Sequence, residues 1–154
     1  LARHGSHLSA TDYTILLNGE PDVDVRQAYV ESLASGTVAR ETANVVLRDR
    51  LGFDRSDRVR AASARSLAAL DPQGADREVV LNAATQIASS DGDVSARSMA
   101  VAALGLLADE RSGPLLERLA SDDAVPEVAA QARAALNRVN RVEYSPVEKG
   151  EGGR

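Results

Sequence analysis

Leucines recur along this chain at a spacing that limits the folds available to it. One set, with separations of 34, 37 and 32 residues, consists of Leu33, Leu67, Leu104 and Leu136. A second set, with separations of 34 and 35 residues, consists of Leu47, Leu81 and Leu116. A sequence that resembles itself about every 34 residues is typical of chains built from stacked copies of one supersecondary unit. Because the two sets agree on the period, we interpret the chain as a repeat protein.

The apolar residues before these leucines have helical spacing, as in the segment from Val25 to Leu33. Hydrophobic residues make up 44% of the sequence and aromatic residues only 3%, so most of the apolar share is Ala, Leu and Val. Ala and Leu are strong helix formers. A short helix pair cannot bury its apolar face alone, so successive pairs stack. We therefore predict an all-α fold without a sheet, a right-handed α-solenoid of about four stacked antiparallel helix pairs.

Local signals predict where helices begin and what they bury. Ser9 and Asp12 have the spacing of a capping box, and Thr37 is placed to cap a later helix. The residues predicted to be buried in the first two helices are Tyr13, Leu16, Leu17, Val25, Ala28, Tyr29 and Leu33. The helix from Val94 is almost wholly apolar over residues 99–107, so we expect it to be the most buried.

The periodic pattern covers only part of the chain. Residues 1–7 carry no periodicity and are expected to be disordered or derived from cloning, whereas residues 8–140 form the predicted solenoid. Residues 141–154 are polar and glycine-rich, so they are predicted to be a flexible tail. The first helix reads as the second half of a repeat, and we therefore expect the solenoid to continue upstream of Leu1.

Two segments share a motif, an aspartate or serine three residues before Val-Arg, followed by an alanine and a closing leucine. It runs from Asp22 to Leu33 and, more loosely, from Ser56 to Leu67. This motif resembles the HEAT repeat, and most closely the HEAT-like repeat of the phycobilisome-lyase type, over about residues 8–140. The resemblance implies that an aspartate caps the first helix of each repeat or bonds the arginine of the neighbouring repeat, which forms a ladder. The implied ladder residues are Asp24, Arg26, Asp57, Arg60, Asp93 and Arg97. The last repeat departs from this pattern, because Ala129 stands where an arginine is expected.

The residue types that catalysis requires are not grouped in this sequence. The only histidines, His4 and His7, are interpreted as a tag remnant or a solvated pair rather than as metal ligands. No serine within the repeats therefore has a histidine base available, and the absence of cysteine excludes thiolate sites. We predict that the protein is not an enzyme and has no cofactor, metal site or small-molecule substrate. The compartment stays open, with the cytoplasm slightly favoured.

Charge and hydropathy also limit the class of partner. The net charge of -5 argues against a nucleic-acid partner, since nucleic-acid binding requires a basic stripe. Arginines are crowded over residues 48–65, but aspartates dilute their charge and aromatic residues are too few to stack bases. No apolar run is long enough to cross a bilayer, so membrane insertion is not expected.

The expected partner is another protein or a domain of the parent chain. In solenoids of this sort the second helix of each repeat usually lines the concave side, which offers an extended groove. The candidate contact residues lie beside the second leucine set and are Asn44, Arg48, Glu78, Asn82 and Glu117. Two hypotheses stay open. One is an interaction or scaffolding module, and the other is an internal structural or regulatory solenoid domain of a larger multidomain protein or enzyme.

Overall fold

The computed structural model of the chain describes residues 8–90 and 92–143, the last two only in their backbone. Over these residues the protein is all-helical, with eight α-helices, one short 3-10 helix and no strand. The α-helices in chain order are α1 (Ala10–Gly19), α2 (Val23–Leu33), α3 (Arg40–Phe53), α4 (Asp57–Ala69), α5 (Gly74–Ala88), α6 (Val94–Leu107), α7 (Gly113–Asp122) and α8 (Pro126–Glu143). The 3-10 helix, Glu110–Ser112, lies between α6 and α7. No helix within these ranges has the length and apolar character needed to cross a membrane.

Side-chain caps begin several helices. Ser9 and Asp12 form the predicted capping box, in which the Asp12 N–H donates to Ser9 Oγ (3.2 Å) and the Ser9 N–H donates to Asp12 Oδ2 (2.8 Å). The Ser9 hydroxyl also donates to Asp12 Oδ2 (2.7 Å), and this bond together with that from the Ser9 N–H lowers the pKa of the Asp12 carboxyl below its ordinary value. The prediction for Thr37 is wrong, because α3 begins at Arg40 and the Thr37 hydroxyl instead contacts that of Ser35 (3.2 Å) in the preceding loop.

The helices fall into two alternating sets with different packing. We call α2, α4, α6 and α8 the first helices, and each of them packs against the next along the chain. We call α1, α3, α5 and α7 the second helices. Of these, α3, α5 and α7 each pack most closely on the first helix that follows. Among pairs of second helices, only α1 and α3 make an extensive contact with each other. The first helices therefore form a continuous layer, and the later second helices stand apart.

Small residues allow the first helices to approach closely. The buried small residues of α4 and α6 include Ala61, Ala62, Ala64, Ala96, Ala100, Ala103 and Gly105. A Cβ placed on Gly105 would lie 2.8 Å from Cβ and 2.9 Å from Cα of Ala135, so α6 and α8 cross at this glycine. We expected α6 to be the most buried helix, but α4 matches it, since eight residues are buried in each.

The predicted buried sides of α1 and α2 are only partly right. Leu17 and Leu33 are buried, but Leu16 is 48% exposed, Val25 40% and Tyr29 41%. Ala28 is also exposed, and Tyr13 is half-buried. The corresponding residues of α4, 34 positions later, are fully buried, and α4 packs against two first helices, α2 and α6. No first helix precedes α2 in the described residues, so α2 buries only the face that meets α4.

The ends of α4 and α6 are supported by arginines from the second helix before them. The guanidinium of Arg40 in α3 donates to the carbonyl of Leu70, and that of Arg77 in α5 donates to the carbonyl of Leu107 at 2.5 Å. These carbonyls have no partner within their own helix, and basic side chains are suited to satisfy them. At the end of α6, Ala108 adopts a left-handed conformation (φ 49°), which costs an alanine about 1–2 kcal/mol.

Gly105→Ala should destabilise the protein, and Gly52→Ala should stabilise it. Alanine in place of a helical glycine contributes about 0.5–1 kcal/mol. At Gly105 the overpacking against Ala135 costs about 1–3 kcal/mol and outweighs that gain, whereas a Cβ at Gly52 has no atom within 4 Å. Urea unfolding followed by circular dichroism measures both changes. Stabilisation by both substitutions would contradict the close crossing of α6 and α8.

Candidate functional site

A buried arginine connects the turns that precede α2 and α4. Arg26 is 1% exposed, and its guanidinium donates to both carboxylate oxygens of Asp54, at 3.1 and 3.2 Å. Its Nη1 donates to the carbonyls of Glu20 and Pro21, each at 3.0 Å. Asp54 in turn accepts the N–H of Ser56 at 2.9 Å, which shapes the turn into α4. One guanidinium therefore fixes the position of one helix start relative to the next.

The same arrangement recurs at the other end of the molecule. Arg97 in α6 pairs with Asp123, and Asp123 accepts the N–H of Val125 at 2.9 Å in the turn into α8. Although burial acts in the opposite direction, the Val125 N–H and Arg97 lower the pKa of Asp123 below its ordinary value. Between these two sites, Arg60 donates to the carbonyl of Asp54 at 2.6 Å, six residues upstream, as Arg26 does to Glu20.

The predicted ladder residues have several different partners. Asp24 pairs with Arg58 of the next first helix (2.7 Å), and Asp93 caps α6 by accepting the N–H of Ala96 (2.8 Å). Within the predicted set, the ion pair is between Asp57 and Arg60, which lie in the same helix. Arg26 and Arg97 instead reach residues that the sequence reasoning missed.

The missed partners are Asp54 and Asp123, and a sequence signal for them exists. An acidic residue stands six positions before Arg26, Arg60 and Arg97, and before Ala129, which occupies the corresponding place in α8. These four acidic residues are Glu20, Asp54, Asp91 and Asp123. The predicted ladder instead uses aspartates that stand two to four residues before each arginine. Asp91 lies outside the described residues.

A second buried arginine joins the contact between α1 and α3. Arg50 is 5% exposed, and its guanidinium lies 3.6 Å from the Asp54 carboxylate. It also pairs with the neighbouring Asp49 and donates to Asn18 Oδ1 of α1 at 2.8 Å. Asp54, with a fully buried side chain, therefore balances two buried guanidinium groups.

Clefts lie between successive second helices, and the lining of each cleft includes Arg26, Arg60 or Arg97. The cleft between α1 and α3 has a volume of about 100 Å³, that between α3 and α5 about 520 Å³, and that between α5 and α7 about 230 Å³. Their respective arginines are Arg26, Arg60 and Arg97. We call the cleft between α3 and α5 the middle cleft; its lining includes Leu51, Val79 and Ile87. The second helices thus present separate clefts that combine apolar and charged groups.

The predicted contact residues lie on the second helices, and one of them, Arg48, lines the middle cleft. Arg48, Glu78, Asn82 and Glu117 are exposed, and Asn44 is half-buried. Two of the five take part in ion pairs that connect neighbouring elements. Arg48 of α3 pairs with Asp76 of α5 at 2.6 Å. Glu78 of α5 accepts two hydrogen bonds from Arg111 of the 3-10 helix, at 2.8 and 3.0 Å.

Arg111 also lowers the pKa values of two carboxyls. Its hydrogen bonds hold the pKa of Asp109 at about 2, against an ordinary value of 3.8, and bring the pKa of Glu78 below its ordinary value of 4.5. Arg77 lies 3.6 Å from Asp109 and contributes to the same field. These shifts arise from ion pairs that connect α5 with the 3-10 helix.

The described residues contain no group of three or more His, Cys, Asp or Glu side chains that could hold a metal ion. His4 and His7 lie outside the described residues. Comparison with family models, with curated proteins and with solved structures finds no match to this chain. The resemblance to HEAT repeats therefore stays a proposal, and the function is inferred from the geometry of the chain itself.

Asp54→Asn should destabilise the protein far more than Asp76→Asn. Removal of Asp54 leaves the buried Arg26 guanidinium without its counter-ion and takes away one of the two carboxylates that pair with Arg50, which costs about 3–5 kcal/mol. Asp76 pairs with Arg48 in water, with both side chains 47% exposed, and loss of such a pair costs at most about 1 kcal/mol. The free energies of unfolding in urea measure the difference, and equal losses would contradict the central role given to Asp54.

Stability should depend on Asp109 at neutral pH and cease to do so in acid. A carboxyl whose pKa is lower in the folded than in the unfolded protein stabilises the fold at pH values above its ordinary pKa of 3.8. This contribution is lost as the pH falls through about 2. Asp109→Asn should therefore lower the free energy of unfolding at pH 7, by an amount that shrinks between about pH 4 and pH 2. Urea titrations across this range test the expectation, with Glu110→Gln as the neighbouring control. A difference from wild type that is constant with pH would contradict it.

Proposed function

We propose that this chain is a right-handed α-solenoid of HEAT-like repeats that acts as a non-catalytic protein interaction or scaffolding module. Stacking of the first helices in chain order supports the solenoid, since each unit contacts its sequence neighbours. The recurring contact of an arginine with an aspartate 28 or 26 residues later supports the repeat. The proposed partner is another protein or a domain of the parent chain.

The observation that carries this proposal is the set of clefts between the second helices. Protein interfaces are enriched in aromatic residues and arginine, and their strongest contacts fill pockets. Here Phe53 is 81% exposed at the α1–α3 cleft, and Val45 and Val79 are 56% and 43% exposed on α3 and α5. The predicted contacts Arg48 and Asn82 are exposed on the same two helices. This surface offers clefts lined by both apolar and charged side chains, which suits a protein partner.

A second candidate is an internal structural or regulatory domain that packs against another part of its own polypeptide. The outer face of the α1 and α2 end carries exposed Leu16, Val25 and Tyr29, whereas the outer face of α8 carries Arg133 and Asn137. Terminal units of a stacked array normally present a polar outer face to water. The α8 end meets that requirement and the α2 end does not, which favours a covering contact there.

A photo-crosslinking side chain introduced at Val45 or Asn82 tests the interaction module. In extract of the source cell, we expect both positions to crosslink to one protein, with competition by unlabelled wild-type chain. The matched control is Ala69, an exposed residue of α4 in the other layer, which should give no such crosslink.

The double substitution Arg48→Glu with Asn82→Arg completes the test. It reverses or adds charge on the proposed surface, and circular dichroism verifies that the variant is folded. Loss of the crosslink from Val45 supports the module. Unchanged crosslinking, or equal crosslinking from Ala69, would overturn it. Recovery of only parent-chain segments would favour the internal domain.

A further inference from the structure

The contacts that connect successive helix pairs differ sharply along the chain. The helix pair α3–α4 meets α1–α2 through the buried pair Arg26–Asp54, through Arg50 with Asn18, and through packing of α1 on α3. The pair α5–α6 meets α3–α4 mainly where α4 packs on α6. On the opposite side of this second junction lies the middle cleft, with a volume of about 520 Å³.

Among the described residues, a single ion pair connects α3 with α5 across the middle cleft. It joins Arg48 Nη1 to Asp76 Oδ1 at 2.6 Å, and both side chains are 47% exposed. Ion pairs in water contribute little, because solvation and salt screen them. By contrast, α4 packs closely on α6, and residues such as Ala62 of α4 and Ala100 of α6 are fully buried. The junction is thus tightly packed on one side and weakly connected on the other.

We propose that α3–α4 and α5–α6 rotate relative to each other about the α4–α6 contact, and that Arg48–Asp76 holds the middle cleft closed. The packed first helices supply the pivot, since separating them would expose buried alanines. Opening on the other side separates only one exposed ion pair. The ion pair shifts the ratio of closed to open molecules by about two- to fivefold toward the closed form. This motion is a property of the chain alone and does not depend on the proposed partner.

Distances between two spin labels test the motion directly. The chain has no cysteine, so introduced cysteines are its only labelling sites. The first label pair, Val45→Cys with Asn82→Cys, spans the cleft from α3 to α5. The control pair, Ala69→Cys with Leu106→Cys, spans the pivot from α4 to α6. All four positions are exposed.

Double electron–electron resonance should show a longer-distance population for the first label pair in 1 M NaCl than in 0.1 M NaCl. The reason is that the Debye screening length falls from about 10 Å to about 3 Å, which weakens the ion pair. Asp76→Asn should produce the same population at 0.1 M. The exchange Arg48→Asp with Asp76→Arg should restore the original distribution, which separates the ion pair from a general effect of salt. The control pair should stay unchanged throughout.

Several results would overturn the proposal. A first-pair distribution that responds to neither salt nor Asp76→Asn would show that the cleft does not open. Broadening of both label pairs together would indicate loosening of the whole fold rather than rotation about α4–α6. Failure of the charge exchange to restore the distribution would show that Arg48–Asp76 does not hold the cleft closed.

Discussion

The close packing of the first helices is the constraint on which the rest of this structure depends. Helices can approach closely only where their facing side chains are small, and α4 and α6 meet this condition with alanines and Gly105. The second helices carry larger residues; α3, α5 and α7 pack mainly on this layer, whereas α1 packs on α3. Because the first helices are closely spaced and the second helices are not, clefts lie between the second helices.

Arginine side chains connect turns and helix ends that apolar packing does not join. Arg26 and Arg97 each contact a turn aspartate that also accepts a backbone N–H, so one side chain serves two helix starts. Arg40 and Arg77 satisfy carbonyls at the ends of first helices. A guanidinium suits these positions because its five donors can serve a carboxylate and backbone carbonyls at the same time. In this chain arginine therefore acts as a connecting element as much as a surface charge.

The proposed interaction surface and the proposed rotation arise from the same feature, the separation of the second helices. Where the second helices stand apart, apolar residues such as Val79 and Ile87 line a cleft that no neighbouring helix fills. The same separation leaves Arg48–Asp76 in water, where an ion pair is weak. A partner that enters the middle cleft would thus meet Arg48–Asp76, the exposed ion pair that joins α3 to α5.

The sequence by itself determined the helical class and the capping box of Ser9 and Asp12, because helix propensity and capping act over a few residues. It could not determine which face of α2 is buried. The helical pattern favoured Tyr29, but Val30 lies against the core because only one neighbouring first helix packs on α2. Nor could it choose Asp54 over Asp57 as the partner of Arg26, since both stand near the start of α4. Only the stacking of α2 on α4 decided this, because a buried ion pair depends on distances between residues far apart in the chain.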